Sequence, residues 1–192
     1  MELVFDSLKE TISRRRALVI APFALGGFAA LLSRLSPESN DANVEVTVIE
    51  FDDTGRKMGA AVRKKMTHSD SDWRRQLTAQ QYWSARRGTT DTPFTGTYYQ
   101  SEAIGLYRCV CCQNALFSSA AKFDSGTGWP SYVSPIASEN VYTQPDNSMF
   151  MHRIEVLCRL CDAHLGHVFD DGPPPTGLRY CINESALRFV RS

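Results

Sequence analysis

The chain has 192 residues, 43% of them hydrophobic, and its 21 Lys plus Arg are matched by 21 Asp plus Glu. That is apolar sequence enough for one domain with a real core plus some extra chain, and a formal charge of zero gives no support to a nucleic-acid partner. Six cysteines allow three disulfides by count alone, but two C-x-x-C units suit a tetrahedral metal better than a disulfide scaffold.

Near the start, Arg14, Arg15 and Arg16 stand directly before sixteen uncharged, mostly apolar residues, Ala17 to Leu32. The run is short for a spanning helix, which needs about 20 residues, and Pro22, Gly26 and Gly27 dilute it. A positive end followed by an apolar stretch predicts an export signal over residues 1–35. Ser13-Arg14-Arg15 with Leu18 resembles the twin-arginine signal, although Ala17 stands where that signal usually has Phe. No A-x-A cleavage site follows Ala30, so an uncleaved anchor touching the membrane through residues 17–32 stays open beside a cleaved signal. Both readings place the domain in the periplasm or on the membrane. The alternative is a cytoplasmic protein whose N-terminal segment is a buried helix or upstream sequence appended by a wrong start codon.

Residues 36–69 read as a linker and short N-terminal extension. Pro, Ser, Asn and Asp make Ser36 to Asn43 flexible. V-E-V-T-V-I-E-F is a β-branched strand, Asp53-Thr54-Gly55 closes a turn, and the Lys-rich A-A-V-R-K-K-M-T-H is a solvated face or loop. The main domain is expected over residues 70–192. Trp73 to Arg87 reads as helical, with Thr78 and Gln81 forming a capping box, Leu77, Tyr82 and Ala85 facing inward, and Gly88 ending the pattern. Pro93 then forces a turn. After Gly96 come short β-like pieces: T-Y-Y, L-Y-R-C-V, Y-V-S, R-I-E-V-L, H-V-F, R-Y-C-I-N and L-R-F-V. No strand alternates with a ten-to-fifteen-residue helix, so a mainly β domain of antiparallel, barrel-like or sandwich sheets is predicted, preceded by short helices.

Cys109-x-x-Cys112 and Cys158-x-x-Cys161 form paired knuckles. A two-residue gap lets both thiolates of a pair reach one side of a tetrahedral ion, and a second pair completes the shell. Four thiolates favour Zn²⁺ or iron; zinc is preferred, one structural ion per chain, because a closed site has no open position for chemistry. The competing reading is two reactive dithiols, which neither pair supports by opening a βαβ unit. Cys111 lies inside the first knuckle and has no assigned role.

Cys181 stands apart from these. In the strand R-Y-C-I-N, period two puts Arg179, Cys181 and Asn183 on one face. A cation and an amide beside one thiol suit an ionisable, nucleophilic cysteine. An ordinary core cysteine would leave those two neighbours unexplained.

At this point the chain resembles a known family, the B-type methionine-R-sulfoxide reductases. The resemblance runs from about Asp70 to Phe189 and rests on S-D-S-D-W-R-R-Q-L-T-A-Q-Q-Y, P-F-T-G, Y-R-C-V-C-C-Q-N-A-L-F, K-F-D-S-G-T-G-W-P-S-Y, E-V-L-C-R-L-C-D-A-H-L-G-H-V-F-D-D-G-P-P-P-T-G and L-R-Y-C-I-N. It implies antiparallel sheets around a groove, in a barrel-like or tent-like fold, with a structural zinc on the side away from the chemistry. The family's zinc ligands fall on Cys109, Cys112, Cys158 and Cys161, and its catalytic thiol on Cys181. Its active-site tryptophan falls on Trp129, its histidines on His164 and His167, and its arginine and asparagine on Arg179 and Asn183. His152 is a groove-edge candidate.

The expected chemistry is attack of the Cys181 thiolate on the sulfoxide sulfur, with His167 protonating the departing oxygen directly or through water. Arg179 would favour the thiolate, Asn183 and His164 would orient partners or water, and Trp129 would wall the S-methyl group. The products are methionine and a Cys181 sulfenic acid. Many members place a resolving cysteine where this chain has Thr127, which predicts reduction by an external, thioredoxin-like dithiol; the other route runs through Cys111. Two rival readings are a zinc-stapled binding or structural module with an inert Cys181, and a generic thiol-disulfide oxidoreductase.

Overall fold

A computed structural model describes residues 43–192; the export-signal reading of residues 1–35 and most of the linker lie outside the described residues. The first described element is a hairpin, β1 (Glu45–Phe51) paired antiparallel with β2 (Lys57–Lys64). Its turn forms as expected, because the Asp52 carboxylate accepts the Thr54 and Arg56 N–H groups at 3.0 Å and so replaces the missing ladder bonds. The Lys-rich stretch is a strand and not a loop: Ala60 and Ala61 pair with Ile49 and Val48, while most of its side chains stay exposed.

The helical stretch is two helices. In α1 (Asp70–Gln76), Ser69 caps the start, and α2 (Ala79–Arg87) begins at Thr78. Thr78 and Gln81 make the reciprocal capping box, and the chain leaves α2 through Gly88 in the left-handed region (φ 71°), where no Cβ resists the turn. A cap that already satisfies the first N–H groups of α2 fixes a break at Leu77, so one continuous helix cannot form. Trp73, Leu77, Tyr82 and Ala85 are buried.

The rest is antiparallel sheet. Strands β3 (Gly105–Cys109), β4 (Ala115–Ser118), β5 (Lys122–Phe123), β6 (Ser131–Tyr132), β7 (Val141–Asp146), β8 (Arg153–Cys158), β9 (His164–Phe169), β10 (Arg179–Ile182) and β11 (Leu187–Arg191) follow in order. One six-stranded sheet runs β5-β6-β10-β9-β8-β7, and a three-stranded sheet runs β11-β3-β4. The sheets are separate and open, so the barrel-like alternative gives way to a tent-like one. Their inner faces share a core in which Phe117 stacks on Tyr132 at 4.4 Å and Tyr107 meets Tyr132 edge-on at 5.3 Å. β7 is an edge strand, which is why it tolerates Pro145.

Thr97-Tyr98-Tyr99 is a turn rather than a strand. The Glu184 carboxylate accepts the Thr97 and Tyr98 N–H groups at 2.9 and 2.7 Å, leaving them no need of a strand partner. The β1–β2 hairpin is tied to the main body through Asn140. Its amide accepts Ile49 N–H at 2.7 Å and donates to the carbonyls of Ile49 and Ala115 at 2.8 Å each. Lys65 pairs with Asp162 at 2.6 Å, and Met66 N–H donates to Leu160 at 2.8 Å. Among the described residues no helix is long and apolar enough to cross a membrane.

Candidate active site and metal centre

The two knuckles are built alike. β3 ends at Cys109 and β8 at Cys158, and each strand runs into a tight turn carrying the second cysteine. Gln113 N–H donates to Cys109 O and Asp162 N–H to Cys158 O, both at 2.9 Å. Gln113 (φ 64°) and Asp162 (φ 55°) are both left-handed, each four residues after the first cysteine. Asn and Asp tolerate that region best among residues with a side chain, so the Asp162 turn is the more relaxed of the pair.

The four sulfur atoms lie within 4.8 Å of one another, with Cys109 to Cys161 at 3.6 Å and Cys112 to Cys158 at 3.5 Å. An ion bound at about 2.3 Å in a tetrahedron sets sulfur–sulfur edges of about 3.8 Å, so the four are positioned to hold one metal. None is in a disulfide. Hydrogen bonds from Cys111, Cys112, Cys158 and Cys161 hold the Cys109 thiol well below the usual range, while the same contacts push Cys161 up. One negative charge shared by crowded sulfurs is what a cation would complete. Cys111 is buried against Cys109 and Cys161.

The second cluster is set by strand register. Cys181 on β10 faces His167 on β9 on one side and Ser131 on β6 on the other. His164 and His167, three apart, would point to opposite faces of a regular strand. The β8–β9 register shifts between Val156 and Leu157, an extra residue that turns both rings to one side, 5.5 Å apart. Gly166 makes this close approach possible: a Cβ there would lie 2.1 Å from the Cys181 carbonyl oxygen.

Each histidine is held by a carboxylate that the sequence reading did not single out. His167 Nε2 lies 2.8 Å from Asp146 Oδ2. Asp146 is held well below the ordinary carboxylate range, first by its hydrogen bonds to Ser148 and then by His167, so it is ionised and Nε2 carries the hydrogen. Burial pushes His167 below the usual histidine range against the pull of Asp146, leaving the ring neutral at pH 7. His164 Nδ1 lies 2.6 Å from Glu155 Oε1, and its Nε2 is buried with no partner. Arg153 donates to Asp146 Oδ2 at 2.6 Å. Glu155 and Arg153 alternate along R-I-E-V, a period-two signal pointing to a polar face. Asp146 carries no such signal.

Arg179 packs over the Phe169 ring at 4.5 Å and makes a two-pronged bond to Asp171, 2.8 Å on each arm. Cys181 is half-buried, and burial pushes its thiol up, outweighing the opposing Arg179 charge and the Thr127 and Arg179 hydrogen bonds. At rest the thiol form is therefore favoured over the readily ionised one that the sequence suggests: Arg179 pulls toward the thiolate, but the burial of Cys181 outweighs it. Thr127 continues through Ser125 to Ser131 by hydroxyl contacts of 2.8 and 2.7 Å.

Trp129, half-buried, lies two residues before Ser131, and its indole N–H donates to Asp91 O at 2.8 Å. Asn183 is buried just past the end of β10, and its Oδ1 accepts Asp91 N–H at 2.9 Å. It therefore fixes the segment that holds Trp129. His152 is exposed on the loop between β7 and β8, hydrogen-bonded to Asn147 at 2.8 Å.

A family model described as the SelR domain matches residues 77–191. The chain is 54% identical over 125 residues to the peptide methionine sulfoxide reductase MsrB of Hahella chejuensis, covering 65% of this chain and 90% of that protein. It is 52% identical over 126 residues to the MsrB of Herminiimonas arsenicoxydans, covering 66% and 92%. To the chloroplastic peptide methionine sulfoxide reductase B1 of Arabidopsis thaliana it is 55% identical over 121 residues, 62% of this chain and 59% of that one. The β1–β2 hairpin precedes the span that the family model matches.

Proposed function

The chain belongs to the SelR family and is a peptide-methionine (R)-S-oxide reductase, and from that premise we propose that Cys181 is its nucleophile and His167 its acid. The observation that carries this reading is the register pair Cys181–His167, in which the histidine's Nε2 is held by an ionised carboxylate. A methionine sulfoxide enters with its S-methyl group against Trp129. The Cys181 proton passes to His167 Nδ1, and Asp146 stabilises the resulting imidazolium from the other side. The Cys181 sulfur then bonds to the sulfoxide sulfur while that proton moves to the oxygen. Transfer of the hydroxyl to Cys181 releases methionine and leaves a sulfenic acid, so one oxygen atom moves and no electrons are unaccounted for.

Arg179, anchored on Asp171, favours the transient thiolate. His164 turns its unpartnered Nε2 to a water or to the substrate oxygen. Asn183 acts through Asp91 to hold Trp129, and His152 stays a rim residue. A dithiol of the thioredoxin class returns the enzyme to its thiol form, giving one water and its own disulfide. The support is that Thr127, not a thiol, touches Cys181, while Cys111 is enclosed beside the sulfur cluster. Zn²⁺ bound by Cys109, Cys112, Cys158 and Cys161 joins the two knuckles and gives folding free energy rather than chemistry. Residues 1–35 are proposed to direct twin-arginine export to the periplasm or to a membrane anchor; the mature N-terminus in cell fractions tests this.

The function is tested by assaying the two sulfoxide diastereomers separately. Wild type reduces the R form only, and Cys181→Ser loses even one turnover. Residual R turnover by that variant removes Cys181 from the mechanism.

A further inference from the structure

We propose that the exposed turn centred on Phe150 grips the polypeptide on either side of the oxidised methionine and so sets which peptides this enzyme repairs. The inference rests on the function proposed above and deepens it.

The β7–β8 loop starts and ends on the groove's own machinery. Asp146, at its start, binds His167 through Oδ2 and the Ser148 N–H through Oδ1 at 2.9 Å. Arg153, at its end, returns to the same carboxylate, and the His152–Asn147 bond at 2.8 Å closes the loop above it. Whatever this loop carries is therefore held at a fixed place beside His167.

What it carries is apolar. Met149 is 78% exposed and Phe150 is bare on all sides, with Met151 (39%) and Ile154 (42%) beside them. Met149 (φ 53°) and Phe150 (φ 59°) are both left-handed, a region that glycine fills freely and a phenylalanine resists. An aromatic ring kept in a disfavoured backbone state, with no packing in return, is a feature that only an external contact repays.

The occupant is the substrate's own chain. The relatives act, by name, on peptides, so residues flanking the reacting side chain must lie at the rim of its groove. Methionine belongs with buried apolar sequence, and its neighbours in a chain exposed by damage are apolar as well. A loop continuous with the His167 carboxylate is where such neighbours meet the enzyme.

The test compares full-length wild type, Phe150→Gly and Phe150→Trp on two R-sulfoxide substrates. One is N-acetyl-methionine sulfoxide; the other is a hexapeptide with leucine on both sides of the sulfoxide. Glycine suits the left-handed φ, so the variant keeps the loop path and removes only the ring. The expected result is that the peptide-to-small-substrate ratio of kcat/KM falls about tenfold in Phe150→Gly, through KM, and recovers in Phe150→Trp. An unchanged ratio, or equal losses on both substrates, overturns the proposal. Wild type inactive on both R-sulfoxides would instead overturn the function itself.

Discussion

The metal centre and the sulfoxide groove are each built from β-hairpins around cysteine, and they treat sulfur in opposite ways. At the centre, thiols crowd within 4.8 Å in two matching turns, buried and braced. In the groove a single thiol faces one histidine across a ladder, half-buried, with polar partners on three strands. Crowding suits a cation and removes nucleophilicity; isolation beside a proton acceptor keeps it. The same element serves both, since β9 starts at the second knuckle and reaches His167 three residues on from His164, roughly 10 Å along a strand.

The sharpest way to break this contrast is to take one sulfur from the centre. Cys158→Ser should lose the bound metal, with a binding free energy of order 10 kcal/mol comparable to the whole stability of a domain, about 5–15 kcal/mol. Metal content and thermal unfolding will show an apo protein without a cooperative transition. A fully metal-loaded, normally melting variant would mean that the four do not act together.

The next effect belongs to the groove alone. His167→Asn should slow single-turnover reduction about 10²–10⁴-fold and leave metal content at its wild-type value. The pH profile follows from two opposed shifts. His167 lies below its usual range and Cys181 above its own, so the reactive pair, imidazolium with thiolate, holds as many protons as the resting pair, neutral ring with thiol. Its fraction is therefore flat between the two pKa values and falls outside them. Single-turnover kcat/KM should be level from below pH 6.5 to above pH 9 and lose its low-pH shoulder in His167→Asn. A wild-type rate that climbs steadily through pH 9 would mean that Cys181 reacts without His167.

The smallest effect concerns the brace beside the centre. Asn140 is wholly buried and makes three bonds, two of them to the β1 backbone. Asn140→Ala should cost about 2–3 kcal/mol, the loss of two or three buried bonds, read as a lower unfolding midpoint with faster metal release to a chelator. Release at the wild-type rate would separate the hairpin from the centre.

How much of this the sequence disclosed follows from the range of each interaction. The knuckles were legible because both ligands of a pair sit within four residues, and the Thr78 capping box because it is local. Cys181 and Arg179 were legible as alternate positions of one strand. The side-by-side histidines were not, since a register shift in β8–β9 has no mark in H-L-G-H beyond its glycine. Asp146 and Asp91 escaped because they act at sequence separations of 21 and 38 residues. The Thr97-Tyr98-Tyr99 turn escaped for the same reason, being held by a carboxylate 86–87 residues away. The direction of Arg179's pull on Cys181 was legible, but the burial that outweighs it was not, because depth in the fold leaves no mark in R-Y-C-I-N.

The most direct test of the division between sulfurs is one stoichiometric turnover of the metal-loaded protein with an R-sulfoxide peptide, quenched with a sulfenic-acid trap and read by mass spectrometry. The account predicts one trapped oxygen, on Cys181, with the other five cysteines unmodified and the metal retained. A Cys111–Cys181 disulfide, or the label on any of the four knuckle cysteines, would contradict it.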